Sequence, residues 1–392
     1  MVFVDTHTDQ QLLCQIITDR YDRAELASLS AQGWSELVTI AQTERLAPLL
    51  YRKLKGASFS AGMPEDLHQV LSQSYYTSEA YNQFLYHELK RVLLAFERAG
   101  IEAIMLKGAA LAVQLYPHLG LRPMGDLDIL VGRQDIQAAV KVAHTLGYAE
   151  VVPEWLGAAQ WLNQAANHHV HLQGGGEGKV ILELHWALVA GEADYRTPPV
   201  EWFWQHKMGF QLPGVDDLNK VYQLTPMAHL LYLSAHLALQ HAAGHPPLLW
   251  VYDLHMLVSL RGGEIDWTEL VRQSERFGWA KSLRIAMNSA CSYFGTILPA
   301  EFLQWSASQP AEQSTTTSTG NRLTDTLAES GTLEPRTRSR LILALVFPRP
   351  SYMRWRYDPH PTWLWLLYYP YRWFDILREG LKALRWVTVK KL

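Results

Sequence analysis

The stretch Gly125-Asp126-Leu127-Asp128-Ile129-Leu130-Val131 decides how the rest of the chain is read. Its apolar residues make a short, strand-like run. Side chains alternate along a strand, so Asp126 and Asp128 fall on one face, about 7 Å apart, while Leu127 points to the other, buried side. Two carboxylates so placed suit one or two hard cations. Mg2+ takes one or two carboxylates and fills the rest of its shell with phosphate oxygens and water.

Working back from this strand, Ile101 to Leu106 is a second apolar run held between Gly100 and Gly108, and Ala109 to Tyr116 returns to helical spacing. Leu106-Lys107-Gly108-Ala109 therefore reads as a strand end followed at once by a helix start. The free N–H groups at Gly108 and Ala109, with the helix dipole, favour an anion there. Lys107 adds a point charge, and Arg122, just before the acidic strand, has a guanidinium that can fork onto phosphate oxygens. Working forward, Ile136 to Leu146 is a helix closed by Gly147. His168 to Leu172 and Lys179 to Trp186 then alternate on either side of Gly174-Gly175-Gly176, which reads as a hairpin. Glu183 and His185 share a face of its second strand. If that strand neighbours the first, three carboxylates converge, the cluster that two-metal phosphoryl chemistry needs.

The flanks are helical. Apolar residues recur at helical spacing through the first hundred residues, with a long helix starting at Pro64-Glu65 and ending at Gly100, and again from Thr225 to Trp305. The expected class is α+β: a mixed-sheet core over 100–215, a helical region over 1–99 and a second over 216–305. A polar linker or surface loop follows over 306–340, then an aromatic and basic segment over 341–392. Between Arg336 and Leu392 twelve Lys and Arg stand against three acids, although the whole chain carries a formal net charge of −3. That overall balance argues against a chain coated in nucleic acid. Only two cysteines occur, which argues against a disulfide framework and for a reducing cytoplasm. The N-terminus lacks a signal-peptide pattern, and Trp363 to Tyr371 falls short of the roughly 20 residues a spanning helix needs. The expected setting is the cytoplasm, with peripheral membrane contact as the alternative.

Leu106 to Leu111, Tyr116-Pro117 and Arg122 to Val131 together resemble the core of an uncharacterised nucleotidyltransferase family within the polymerase-beta-like nucleotidyltransferase superfamily. Glu183-Leu184-His185-Trp186 resembles its third-strand motif, where an aspartate is more usual. The similarity continues in Leu224-Thr225-Pro226, His236, Leu249 to Leu254, Ile265-Asp266-Trp267 and the region of Tyr368; it is absent over 306–340. The resemblance implies transfer of a nucleoside monophosphate from a nucleoside triphosphate, ATP being the expected donor, with release of pyrophosphate. It implies Asp126 and Asp128 as ligands of Mg2+ or Mn2+ and Glu183 as the third carboxylate. Lys107, Gly108, Ala109 and Arg122 would hold phosphates, with His185 beside Glu183 at the bound nucleotide. The family's usual serine or glycine after the motif glycine is here Ala109, and Lys107 is placed to compensate.

Three features admit more than one reading. His169 and His171 share a strand face and invite a zinc site with Glu183, but lack recognisable zinc spacing and fit hydrogen-bonding roles better. Asp253, inside the apolar run Trp250 to Leu257, either reaches the nucleotide or acceptor or caps a neighbouring helix. Trp363, Leu364, Leu367 and Tyr368 fit the apolar face of a core helix; the alternatives are a membrane surface or an RNA acceptor. Pro370 is expected to kink or end any helix through it. The acceptor stays open among protein, small molecule and RNA. A catalytically degenerate nucleotide-binding or membrane-associated protein is the competing reading.

Overall fold

The structure is a computed structural model. It describes residues 6–55, 62–151, 168–175, 179–189, 200–215, 218–240, 247–309 and 361–378, with isolated residues between 339 and 357. The fold is α+β, as the alternation of patterns predicts. Five helices come first: α1 (Thr6–Ile17), α2 (Arg23–Ala27), α3 (Ala31–Thr43), α4 (Ala47–Leu54) and α5 (Glu65–Arg98). Ser30 caps α3 by accepting from the Gly33 N–H, and Glu65 and Asp66 place negative charge in the first turn of α5, where the helix dipole favours it. At 34 residues α5 is a rod of about 51 Å.

Then come β1 (Ala103–Met105), α6 (Lys107–Gln114), β2 (Leu127–Val131), α7 (Ile136–Thr145), β3 (Ala149–Glu150), β4 (His169–Gly174), β5 (Val180–His185), α8 (Val200–Gln205), β6 (Lys207–Gly209) and β7 (Val221–Leu224). Among the described residues seven strands form one mixed sheet in the order β3-β4-β5-β2-β1-β7-β6. β2 runs antiparallel to β1 and parallel to β5, and β4 and β5 make the expected hairpin. Gly174 is required there: at φ +152°, a Cβ would stand 2.3 Å from the Gly147 carbonyl oxygen. β7 pairs with β1 near the sheet's middle, so the sheet extends past residue 215, where the sequence reading ended the core.

Strand alternation divides the sheet into two faces. Leu127, Ile129, Val131, Val170, Leu172, Val180, Leu182 and Leu184 pack with the second half of α5 and with α7. The opposite face is apolar at Ile104 and Leu130, which join the other core, and polar where β2, β5 and β4 carry Asp128, Glu183, His185, His169 and His171. That other core is continuous from α1 to the C-terminal helices α9 (Pro226–Ala235), α10 (Leu248–Arg261), α11 (Trp267–Arg276), α12 (Ala280–Phe294) and α13 (Ala300–Ser308). Helices α1 to α4, the start of α5 and the C-terminal helices thus share one core on this face of the sheet, while the rest of α5 covers the other face.

At the C-terminal end the structure corrects one expectation. Trp363 is 65% and Leu367 68% exposed, so this segment is not the buried face of a core helix. It is a 3-10 turn over Thr362–Tyr368, and the helix over 369–378 that follows has Pro370 in its first turn. Proline lacks only an N–H that this turn leaves unpaired anyway, so it starts this helix instead of breaking it. The loop proposed over 306–340 lies almost wholly outside the described residues. No described helix is long and apolar enough to cross a membrane.

Candidate active site

The ladder between β1 and β2 sets up the site. Past the end of β1, the Leu106 N–H donates to the Asp128 carbonyl at 3.1 Å, so Lys107 opens α6 directly beside Asp128. Lys107 Nζ meets Asp128 Oδ1 at 2.7 Å. Lys107 sits at φ +39°, one of three non-glycine residues with positive φ among the described residues. Such backbone costs of order 1–3 kcal/mol and persists where surrounding structure enforces it.

On the other side of β2, Asp128 stands level with Glu183 of β5 in parallel register, so both carboxylates leave the same sheet face. His185 Nε2 lies between them, 2.9 Å from Asp128 Oδ1 and 3.4 Å from Glu183 Oε2. β4 adds His171, level with Glu183, its Nδ1 3.4 Å from Glu183 Oε1, and His169 with Nε2 at 3.9 Å. His168 Nε2 lies 3.2 Å from His169 Nδ1. Asp126 precedes β2 rather than lying within it, half-buried at the rim of the cluster. Asp128 and Glu183 thus come together from separate strands with His185 between them, while Asp126 stands outside that group of three.

Burial and mutual charge set the protonation states. Burial, then the neighbouring charge of Asp128, pushes the Asp126 carboxyl up to about 6. Burial would raise Asp128 as well, but the Lys107 ammonium and the His185 hydrogen bond outweigh it and hold the carboxyl low. Glu183 follows the same balance: burial raises it, and hydrogen bonds from His171 and His185 bring it far below the usual carboxylate range. Burial lowers His185, but its bonds to Asp128 and Glu183 raise it above an ordinary histidine. His168 and His169 are driven down, by burial first and by His185 next, to about 2 and about 4, and stay neutral.

The residues fit a divalent cation. One ligand atom each from Asp128, Glu183 and His185 lie within 4.8 Å of one another, and Lys107 already rests its positive charge on an Asp128 oxygen. Oxygen donors suit Mg2+ or Mn2+. Among the described residues a second group of three, His168, His169 and His185, offers nitrogens alone.

Two expected phosphate or nucleotide contacts are otherwise engaged. Arg122 is buried and forks onto Asp253 of α10, Nε to Oδ1 at 2.8 Å and Nη2 to Oδ2 at 2.7 Å; the Tyr116 hydroxyl donates to the same Oδ1 at 2.6 Å. Neither Arg122 nor Asp253 presents its fork or carboxylate to a ligand; each satisfies the other. This ion pair still shapes the site, because Arg122 Nη1 lies over Gly108, where a Cβ would come within 2.5 Å of it. The helix start at Gly108 and Ala109 is buried and has no side-chain cap.

Sequence reasoning missed Asn82. From the middle of α5 its Nδ2 donates to the carbonyls of Leu119 (2.6 Å) and Arg122 (2.7 Å), while its Oδ1 accepts from the Met124 N–H at 3.3 Å. It staples the loop that delivers Asp126. The available signal was a polar residue inside the apolar stripe Leu71, Leu85, Leu89 of a long helix. His241 and His245, four apart in a helical stretch of the sequence and without the glutamate of a zinc-protease motif, lie outside the described residues.

The model of a family described as uncharacterised nucleotidyltransferase matches residues 30–295. Among solved structures, an antigenic nucleotidyltransferase-like protein from Paracoccidioides brasiliensis is similar over 57% of this chain and 97% of its own, at 13% identity and a TM-score of 0.29. So loose a likeness carries no argument. No curated protein matches.

Proposed function

Because the chain belongs to the uncharacterised nucleotidyltransferase family, we propose that it transfers a nucleoside monophosphate from a nucleoside triphosphate, ATP foremost, to an acceptor. An acceptor hydroxyl or phosphate oxygen attacks the α-phosphorus, a hydroxyl giving its proton to solvent; the new bond joins that oxygen to the phosphorus, the bond to the β-phosphate oxygen breaks, and pyrophosphate leaves. The observation that carries this reading is the parallel register of Asp128 with Glu183, with Asp126 at the rim.

Asp126, Asp128 and Glu183 are the residues that would hold Mg2+ or Mn2+. A divalent ion bound there would offset phosphate charge and ease deprotonation of the attacking hydroxyl. His185 fixes the orientation of both inner carboxylates. Glu183, level with Asp128 and approached by His171 and His185, is assigned to ligation of the cation. Lys107 and the uncapped start of α6 receive the triphosphate. The cytoplasm is the proposed setting.

The test incubates the protein with labelled ATP, GTP, CTP or UTP, Mg2+ and cell extract, following label and pyrophosphate. The expected result is transfer from at least one nucleotide, reduced about 100-fold or more in Asp126→Asn, Asp128→Asn. Undiminished transfer in that double variant overturns the site. Metal analysis of the purified protein separates this reading from a zinc hydrolase built on His169, His171 and Glu183: stoichiometric zinc with no nucleotide turnover would favour the latter.

A further inference from the structure

The loop that carries Asp126 has a second exposed side. Its residues Pro123 and Met124 form one wall of a cavity of about 550 Å3, whose other walls come from the end of α3, the start of α4 and the first half of α5. The size falls within the range of small-ligand pockets. Arg45, Gln42, Ser78 and Tyr81 contribute to its lining.

Two of these residues lack partners. The Ser78 hydroxyl is buried and has no hydrogen-bond partner, although a buried hydroxyl left alone costs about 1–3 kcal/mol. The Arg45 guanidinium makes no hydrogen bond or ion pair with any described residue, yet it stands near enough to Asp126, Asp253 and Arg122 to feel their charges. An ideal Cβ on Gly125, next to Asp126, would lie 3.9 Å from Arg45 Nη2. Arg45 is also held at φ +60°, in the left-handed region that an arginine rarely adopts. With Lys107, two of the three described non-glycine residues so held are cations beside the acidic cluster. Backbone strain of this kind gathers at ligand sites.

We propose that this cavity is a substrate pocket of the active site, in which Arg45 binds an oxyanion, phosphate or carboxylate. Arg122 cannot take that role, since Asp253 occupies its fork. The mixed lining, with amide and hydroxyl groups among Tyr81, Pro123 and Met124, suits a polar ligand with a flat or apolar body. The inference rests on the transferase reading above and adds to it the group that holds the substrate's charge. The oxyanion belongs either to the nucleotide or to the acceptor.

The experiment measures ATP binding by calorimetry with Mg2+ present, and label transfer as above, for wild type, Arg45→Gly and Arg45→Lys. Glycine is at ease at φ +60°, so Arg45→Gly removes the cation without straining the fold; urea midpoints check this. A loss of about tenfold or more in ATP affinity in Arg45→Gly, with partial recovery in Arg45→Lys, supports the pocket and assigns it to the nucleotide. Unchanged ATP affinity with transfer lowered to the same extent supports it and assigns it to the acceptor. Wild-type values for both quantities in Arg45→Gly overturn the pocket while leaving the transferase reading intact. A wild-type protein that neither binds ATP nor moves label removes the reading on which the pocket rests, and the pocket with it.

Discussion

Lys107 and Asp128 form an ion pair at the centre of the site: the ammonium lies 2.7 Å from Oδ1, the same oxygen that His185 approaches from β5. Burial disfavours the charged lysine, yet Asp128 more than restores it, so the ammonium is fixed in place. Asp128 is thus neutralised by a side chain. A divalent cation must compete with that ammonium. Replacing Lys107 by methionine is expected to tighten Mn2+ binding about tenfold in calorimetry without nucleotide, and to slow label transfer. Weaker Mn2+ binding in Lys107→Met would show that the lysine supports the cation instead of competing with it.

Arg122 and Asp253 form a buried bidentate pair joining the loop before β2 to α10. Asp253→Ala leaves the guanidinium uncompensated and removes the partner of Tyr116. A loss of about 3–5 kcal/mol in urea unfolding is expected, and Arg122→Met with Asp253→Leu should recover much of it. If the single variant unfolds like wild type, the pair is not what clamps the loop.

Ser78→Ala separates stability from binding. Deleting a buried hydroxyl that has no partner should raise unfolding stability by about 1 kcal/mol. Substrate binding in the cavity assays should stay at its wild-type value, since this hydroxyl is shut off from the cavity. A stability loss would indicate that the hydroxyl is already satisfied in the free protein.

Acid should destabilise the fold through histidines buried neutral. Burial, with Arg122 nearby, lowers His229 to about 3, and burial lowers His255 to about 4. Unfolded histidines take up a proton near 6.5. Between those values the unfolded chain binds more protons than the native one, so stability is full above about pH 6.5 and falls as pH drops below it. For His229 alone the slope is about 1.4 kcal/mol per pH unit within the window. Urea midpoints from pH 7 to pH 4.5 test this, and His229→Phe should flatten the profile; an unchanged profile would place the acid sensitivity elsewhere.

The parts of this fold fixed by local pattern were legible in the chain. Alternation exposed β2, β4 and β5, and the turn glycines marked the hairpin, because those signals lie within a few residues of one another. The start of α6 at Lys107-Gly108 was readable for the same reason. β7 was not, since four residues of mixed character, Val221 to Leu224, become a strand only by adding to β1. The roles of Arg122 and Asp253 depend on a pairing across 131 positions, and each alone resembles a ligand-binding charge. Arg45 carried no local signal at all: its importance comes from a positive φ and a missing partner.

One hydrophobic core runs from Leu13 near the beginning of the chain to Phe302 and takes in Ile104, Leu106, Leu111 and Leu130 along the way. The acidic strands cannot therefore be cut free as an independent module. A fragment limited to residues 100–215 would bare those four side chains to water and would lose β7, the neighbour of β1. Helices from before and after the sheet share this core, so the sheet is expected to reach its packed form only when the C-terminal helices are present.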